Sequence, residues 1–294
     1  MTRVLQVGKR TFTSFYDDQM THHAAALTYY GLMSLFPAAL LGLSLLGLLG
    51  QYPDTYNAII SYLEDVAPQS VVEPLDQSLR SALQSRGAAT TAFVLGIVVA
   101  FYGTTGALEA ARRALNVVFE VESGRSFVRR KLVDIVSTIV LMALVLASLI
   151  LVFVGGNFAE DLLGFIGLGP TVAEIWNIAR WPTALVVAML VFAFIYYVTP
   201  DVEHRAFHWL TPGAVVGVLI WLLASYGLST YLSEVAEVQV YGAFASAIVL
   251  LLWLWLTNVS LLFGAELNAE IEREKELAEG VPAAETLNRP DLGR

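Results

Sequence analysis

Charged residues stand along this chain as posts between long uncharged intervals. Six intervals reach the ~20 residues a helix needs to cross a hydrocarbon core. They lie between Asp18 and Asp54, Arg86 and Glu109, Asp134 and Glu160, Arg180 and Asp201, Arg205 and Glu234, and Glu237 and Glu266. The spans fall near 26–50, 88–108, 135–156, 182–199, 210–232 and 241–264, the fourth being the shortest. The pattern predicts an all-α fold: a polytopic membrane helix bundle with six transmembrane helices. It divides into an interfacial N-terminal segment (1–22), a membrane domain (23–275) and a disordered tail (276–294).

Basic residues orient the bundle. With the N-terminus in the cytoplasm, fourteen of the seventeen Lys and Arg fall on the inner side, and Arg80, Arg86 and Arg180 on the outer. That asymmetry is the positive-inside signal and predicts that both termini are cytoplasmic. Residues 1–20 are mixed and polar, so no cleavable signal is expected. The outer face carries ten carboxylates and is net acidic, a solvated surface or a weak attractor of cations.

Between spans, residues 54–86 place Tyr56, Ile59, Ile60, Leu63 and Val66, then Leu75, Leu79 and Leu83, at intervals of three and four. This predicts two short amphipathic helices in the first outer loop, hinged near Pro68 and Pro74. Residues 160–178 read as a similar lid broken at Gly169–Pro170. On the inner side "FVRRKL", with Arg129, Arg130 and Lys131, suits anionic lipid head groups, and equally serves as a topology anchor.

Pro37 alone among the prolines near spans falls in mid-span, where a missing N–H costs roughly 3 kcal/mol in an ordinary helix. Pro182 and Pro212 fall at predicted starts and Pro200 at an end. Tyr30 and Ser34 precede Pro37 on the same helix face, and Ser34 can help satisfy the interrupted ladder. Such a face belongs against other helices or a cavity. Two readings stay open: a packing kink, or a bend lining a substrate path. Further path candidates are Thr104 and Thr105 in "GTTG", Tyr241, and Asn258 in the sixth span. "GAVVG", Gly213 to Gly217, fits close helix approach.

Ionisable candidates follow. Glu109 and Glu266 stand at inner ends of spans after polar turns, where carboxylates tend to be paired or functional. Arg112 and Arg113 lie three and four residues beyond Glu109, within ion-pair reach. Asp201, Glu203, His204 and His208 in "DVEHRAFH" offer metal-ligating types, but the segment is short and interfacial, and no metal site or cofactor is assigned. The chain has no cysteine, which removes thiolate chemistry. Its net charge of −9 argues against nucleic acid as a partner. No phosphate loop, HExxH or nucleophile elbow is present, so no catalytic residue is named.

Four stretches together, "AAALTYYGLMSLFPAAL", "GTTGALEAARRALNVVFEV", "YYVTPDVEHRAFHWLTPGAVVGVLIWLL" and "VYGAFASAIVLLLWLWLTNVSLLFGAELNAEIERE", resemble the YihY/BrkB-type membrane proteins, the virulence factor BrkB family. Tyr30, Ser34 and Pro37 match its first-span motif, Glu109 and Asn116 the second, and Tyr241, Gly242, Gly264, Glu266 and Asn268 the last. The resemblance implies a six-span protein of the bacterial or archaeal cytoplasmic membrane. It brings an old ribonuclease label and suggestions of lipid transport, but no established activity. The leading expectation is a transporter or flippase-like protein for a lipid or other amphipathic molecule, with membrane lipids as partners. The alternative is a non-transporting scaffold or envelope-assembly partner, and a membrane ribonuclease comes third.

Overall fold

The computed structural model describes residues 3–33, 94, 105–121, 124–153, 170–202, 210–234 and 242–280. Every regular element of length among them is a helix. In chain order these are α1 (Arg3–Asp17), α2 (20–33), α3 (105–118), α4 (Phe127–Phe153), α5 (Pro170–Val198), α6 (Pro212–Glu234) and α7 (Gly242–Ala278). Among the described residues, three stretches are long and apolar enough to cross a membrane: Glu174–Val198, Pro212–Leu232 and Ala247–Ala278. They correspond to the fourth, fifth and sixth predicted spans. The helix α4 covers most of the third. Most of the first two spans, both helices expected over 54–86, and the tail beyond Gly280 lie outside the described residues.

The chain divides into two compact units. One comprises Met1–His23, Ala111–Leu223 and Val259–Arg294, and the other Ala24–Ala110 and Ala224–Asn258.

Within the first unit, α1 buries Val7, Thr11 and Phe15, one stripe at four-residue spacing. The Phe15 ring meets Phe263 of α7 at 5.6 Å between centroids. Two non-glycine residues end helices in the left-handed region: Gln19 (φ 53°) after α1 and Glu120 (φ 53°) after α3. At the second, Val121 N–H donates to the Asn116 carbonyl at 2.8 Å and Glu120 N–H to Val117 at 3.0 Å. This is a Schellman turn, which closes the helix by satisfying its last carbonyls.

The first turns of α4 are inside out by the standard of a water-soluble helix. Asp134, Ser137 and Thr138 are buried, while Phe127, Val128, Leu132, Val136 and Ile139 are exposed. The helices α5, α6 and α7 likewise turn Ile175, Ile178, Leu223, Ile248 and Leu252 outward. In water each such side chain forgoes roughly 1.5–3 kcal/mol of burial; against lipid it forgoes nothing.

One expectation is corrected. The span expected to open at Pro182 belongs to a continuous helix from Pro170, with Pro182 inside it; residues 160–169 of the expected lid lie outside the described residues. Proline at the first helical position is the favourable place, and Pro170 takes it. At Pro182 the carbonyl four residues back loses its N–H partner. The adjacent Thr183 hydroxyl donates to the neighbouring Ala179 carbonyl at 2.8 Å.

The crossing of α6 on α7 rests on glycine. Gly213 and Gly264 meet backbone to backbone: a Cβ on either would collide with the other's carbonyl oxygen. One turn further along α6, Gly217 faces the Ser260 carbonyl and the Phe192 ring. The pairing of 213 with 264 and 217 with 260 makes the two helices antiparallel here, and "GAVVG" is the close-approach motif it resembles. Tyr196 of α5 locks the contact, its hydroxyl donating to the Leu261 carbonyl at 2.6 Å.

The start of α6 is capped from α7. Thr211 Oγ1 accepts from Ala214 N–H at 3.1 Å, and Asn268 Nδ2 donates to that same hydroxyl at 3.0 Å. Asn268 Oδ1 accepts from Gly213 N–H at 2.8 Å, and Pro212 has no N–H to satisfy. All of the first turn's donors are therefore accounted for.

Replacing Gly264 by Ala forces α6 and α7 apart at this point. We expect a loss of about 1–3 kcal/mol or more, read as an earlier thermal transition in detergent; a transition at the wild-type temperature would show that the contact is looser than the geometry requires.

Candidate functional site

Two polar clusters are built inside the first unit. The first joins the C-terminal half of α3, the start of α4 and the residues that follow α5. Arg112 forms a buried ion pair with Asp134, and its Nε stands 3.9 Å from Asp201. Arg125 Nη1 lies 3.2 Å from Asp201 and also donates to the Val198 carbonyl at 3.1 Å. Asn116 grips Asp201 from both sides of the amide: Nδ2 donates to Oδ2 at 3.2 Å, and Oδ1 accepts from Asp201 N–H at 2.9 Å. All four charged side chains are less than 10% exposed. A Cβ at Gly124 would stand 2.8 Å from the Asp201 carboxylate, so glycine lets this loop close over it.

The composition of this cluster explains why it can be buried. Two guanidinium groups face two carboxylates, so the formal charges cancel and each ion has hydrogen-bonding partners. Burial lowers the affinity of Arg125 for its proton, and the neighbouring Asp201 opposes that effect. Asp201 is thereby committed to Arg125 and Asn116; Glu203, His204 and His208, the other residues of the metal-type segment, lie outside the described residues.

The second cluster runs along one face of α7. Glu266 and Glu270 are buried, one turn apart. Glu270 accepts from Ser14 Oγ at 3.2 Å and pairs with Arg10 Nε at 3.0 Å, while Arg10 Nη2 reaches Glu274 at 2.7 Å. These bonds clasp α1 to α7. Arg273 reaches Glu120 at 2.6 Å and Glu270 at 3.5 Å, fastening the Schellman turn of α3 to the same face. Glu266 is a neighbour of Asp18, at the junction of α1 and α2.

In the second unit, the Tyr30 ring occupies the space a Cβ at Gly106 would need, with Cδ1 2.9 Å from that position. Asn258 Nδ2 donates to Thr28 Oγ1 at 3.1 Å and to the Leu254 carbonyl at 2.9 Å. Thr28 in turn donates to the Ala24 carbonyl at 2.8 Å. The sequence candidate Tyr30 thus packs beside Gly106, and Asn258 bonds Thr28. Thr105, beside Gly106, and Glu109 are half-buried on α3. Ser34, Pro37, Thr104 and Tyr241 lie outside the described residues. Arg129, Arg130 and Lys131 sit on the first turns of α4, with Arg130 over the Phe127 ring at 5.7 Å.

Sequence reading missed the partners. Asp18 and Asp134 stand in the sequence only as boundary posts, and nothing local marks Asp134 as a partner of Arg112. The one local signal was available: Asp134 is followed by Ser137 and Thr138 on its own face, a polar stripe beneath an apolar exterior.

A helical fold with apolar flanks and ion pairs sequestered inside defines a membrane protein. The chain belongs to the virulence factor BrkB family, which matches residues 11–288. It is 27% identical over 275 residues to the ribonuclease-like protein YfkH of Bacillus subtilis (strain 168), covering 93% of this chain and 98% of that one. It is also 27% identical over 267 residues to the UPF0761 membrane protein XAC0937 of Xanthomonas axonopodis pv. citri (strain 306), covering 90% of this chain. This chain spans 61% of the length of that Xanthomonas protein. No solved structure matches the chain.

Replacing Glu270 by Ala removes the anchor shared by Ser14 and Arg10. A hydrogen bond to a charged group contributes roughly 1.5–3 kcal/mol, so amide exchange across α1 should quicken at least about tenfold. Exchange in the buried turns of α6 and α7 should hold at the wild-type rate; an unchanged α1 would mean that Phe15 alone seats the helix.

Proposed function

We propose that this protein moves a lipid or another amphipathic molecule between the two faces of a bacterial or archaeal cytoplasmic membrane. In this reading six helices cross the bilayer and both termini are cytoplasmic, in keeping with the bias of Lys and Arg along the chain. The observation that carries it is the network of Arg112, Asp134, Asp201 and Arg125. Ionised groups inside a membrane domain are costly, and they commonly mark a substrate or ion pathway or the joints that open one. Because the charges cancel only in the closed arrangement, separating α3 from α4 or from the residues after α5 would expose paired charges to an entering polar head group. Asn258, Thr28 and Tyr30 supply a second polar patch on apolar helices. Arg129, Arg130 and Lys131 stand where an anionic head group would be gathered first.

A second reading, a non-transporting scaffold or envelope-assembly partner, draws on the same turns of α4, where exposed Phe127, Val128 and Leu132 flank the basic residues and form a docking surface. The ribonuclease-like name of YfkH finds less support here, since sixteen acidic residues outnumber fourteen basic ones in the segments assigned to the inner side.

Reconstitution separates the readings. Vesicles containing the wild-type protein and a head-group-labelled phospholipid should expose inner-leaflet label to an impermeant quencher faster than protein-free vesicles. Asp201→Asn should slow this at least about tenfold, a change equivalent to 1.4 kcal/mol in the barrier. Wild-type vesicles that match protein-free ones for both anionic and zwitterionic lipids would contradict transport and leave the scaffold reading.

A further inference from the structure

Two carboxyl groups that stand beside each other away from water favour holding one proton over carrying two charges. Asp18 and Glu266 are neighbours of this kind. Glu266 is 2% exposed, and its Oε1 has no hydrogen-bond partner among the described residues. That oxygen is an unmatched acceptor on a buried side chain, where an ionised carboxylate without compensation is costly. Among the described residues, the charged groups named around the pair are mainly acidic. Around Asp18 stand Asp17, Glu120 and Arg273, with His23 and His22 following on α2. Around Glu266 stand Asp18, Glu270 and Arg273. Arg273 is divided between Glu120 and Glu270, and the other nearby guanidinium, Arg10, is engaged by Glu270 and Glu274. Four carboxylates, Asp18, Glu120, Glu266 and Glu270, therefore compete for Arg273, and full ionisation of Asp18 and Glu266 would leave at least one negative charge uncompensated.

We propose that Asp18 and Glu266 form a proton-binding site that holds one proton between them. The elements it joins give proton binding a mechanical consequence. Asp18 sits at the junction of α1 and α2, beside the left-handed Gln19, and Glu266 sits two residues beyond Gly264, where α7 crosses α6. Loss of the shared proton puts two negative charges beside each other and drives that junction away from α7. The proton is thus the candidate coupling ion; that role rests on the transport reading above, while proton binding itself does not.

The sign of the stability effect follows from Asp18. Burial, first, and the carboxylates of Glu120 and Asp17 raise it above the ordinary Asp value, against the opposing effects of the Glu266 hydrogen bond and Arg273. A raised folded-state value means that the contribution is complete in acid, below the ordinary carboxylate range, and is lost as pH rises through the raised value. Burial also holds His23 below its ordinary value, so this imidazole loses its proton readily and offers little compensating charge as the pH rises.

The test uses the full chain in detergent and in vesicles. Infrared spectroscopy at neutral pH should show a protonated-carboxyl carbonyl band that disappears in Glu266→Gln and in Asp18→Asn, and persists in Glu274→Gln. Thermal stability of the wild type should fall on alkalinisation, and Glu266→Gln should flatten that dependence. Two substitutions guard against one failing to fold. Absence of the band in wild type, or its survival in both folded variants, would overturn the site. In vesicles, an imposed pH gradient should change wild-type lipid translocation but not that of Glu266→Gln. A band present without translocation keeps the proton site and removes transport; translocation indifferent to pH removes the coupling role alone.

Discussion

Helices with apolar exteriors leave the charges they enclose with no water to turn to, and the described structure follows from how those charges are matched. In water, Asp134 or Asp201 could lose a partner and be hydrated. Here each is held against guanidinium groups from elements far away in sequence. Arg112 brings α3 to α4 and Arg125 brings the intervening loop to the residues after α5. The network thereby sets which helix ends meet, a role that generic apolar contact between lipid-facing surfaces cannot fill.

The helix α7 applies the same logic along its length. Gly264 lets α6 approach to backbone contact, and Asn268, one turn on, completes the cap of α6. On another face Glu266, Glu270, Arg273 and Glu274 take up Asp18, Ser14, Arg10 and Glu120. Small residues therefore supply proximity, and polar residues supply register. The residues that the family resemblance singles out in this region, Gly264, Glu266 and Asn268, each fall at one of these junctions.

Hydrophobic periodicity and charge-free intervals made the helices legible: the fourth to sixth predicted spans fall on α5, α6 and α7. "GAVVG" signalled the tight crossing, and Pro212 the start of α6, because both depend on residues adjacent in sequence. Pro182 is misleading because proline usually marks a boundary, whereas here the helix runs through it. The ion network was illegible for a deeper reason. Its members are separated by 22 residues between Arg112 and Asp134 and by 85 between Asn116 and Asp201. A charge near a span's end looks the same whether it meets water or a distant countercharge. Tyr30 and Asn258 were recognisable as polar atoms on apolar helices, but Gly106 and Thr28, the groups they touch, carry no charge to draw attention.

The most direct measurement of this account is a double-mutant cycle on Arg112 and Asp134, read as unfolding free energy in a fixed detergent. Arg112→Met should cost roughly 3–5 kcal/mol because it strands a buried carboxylate. Adding Asp134→Asn should recover a large part of that loss, giving a strong coupling energy between the two positions. Single substitutions that are nearly neutral, or losses that simply add, would contradict the claim that paired burial of these charges holds the helix ends together.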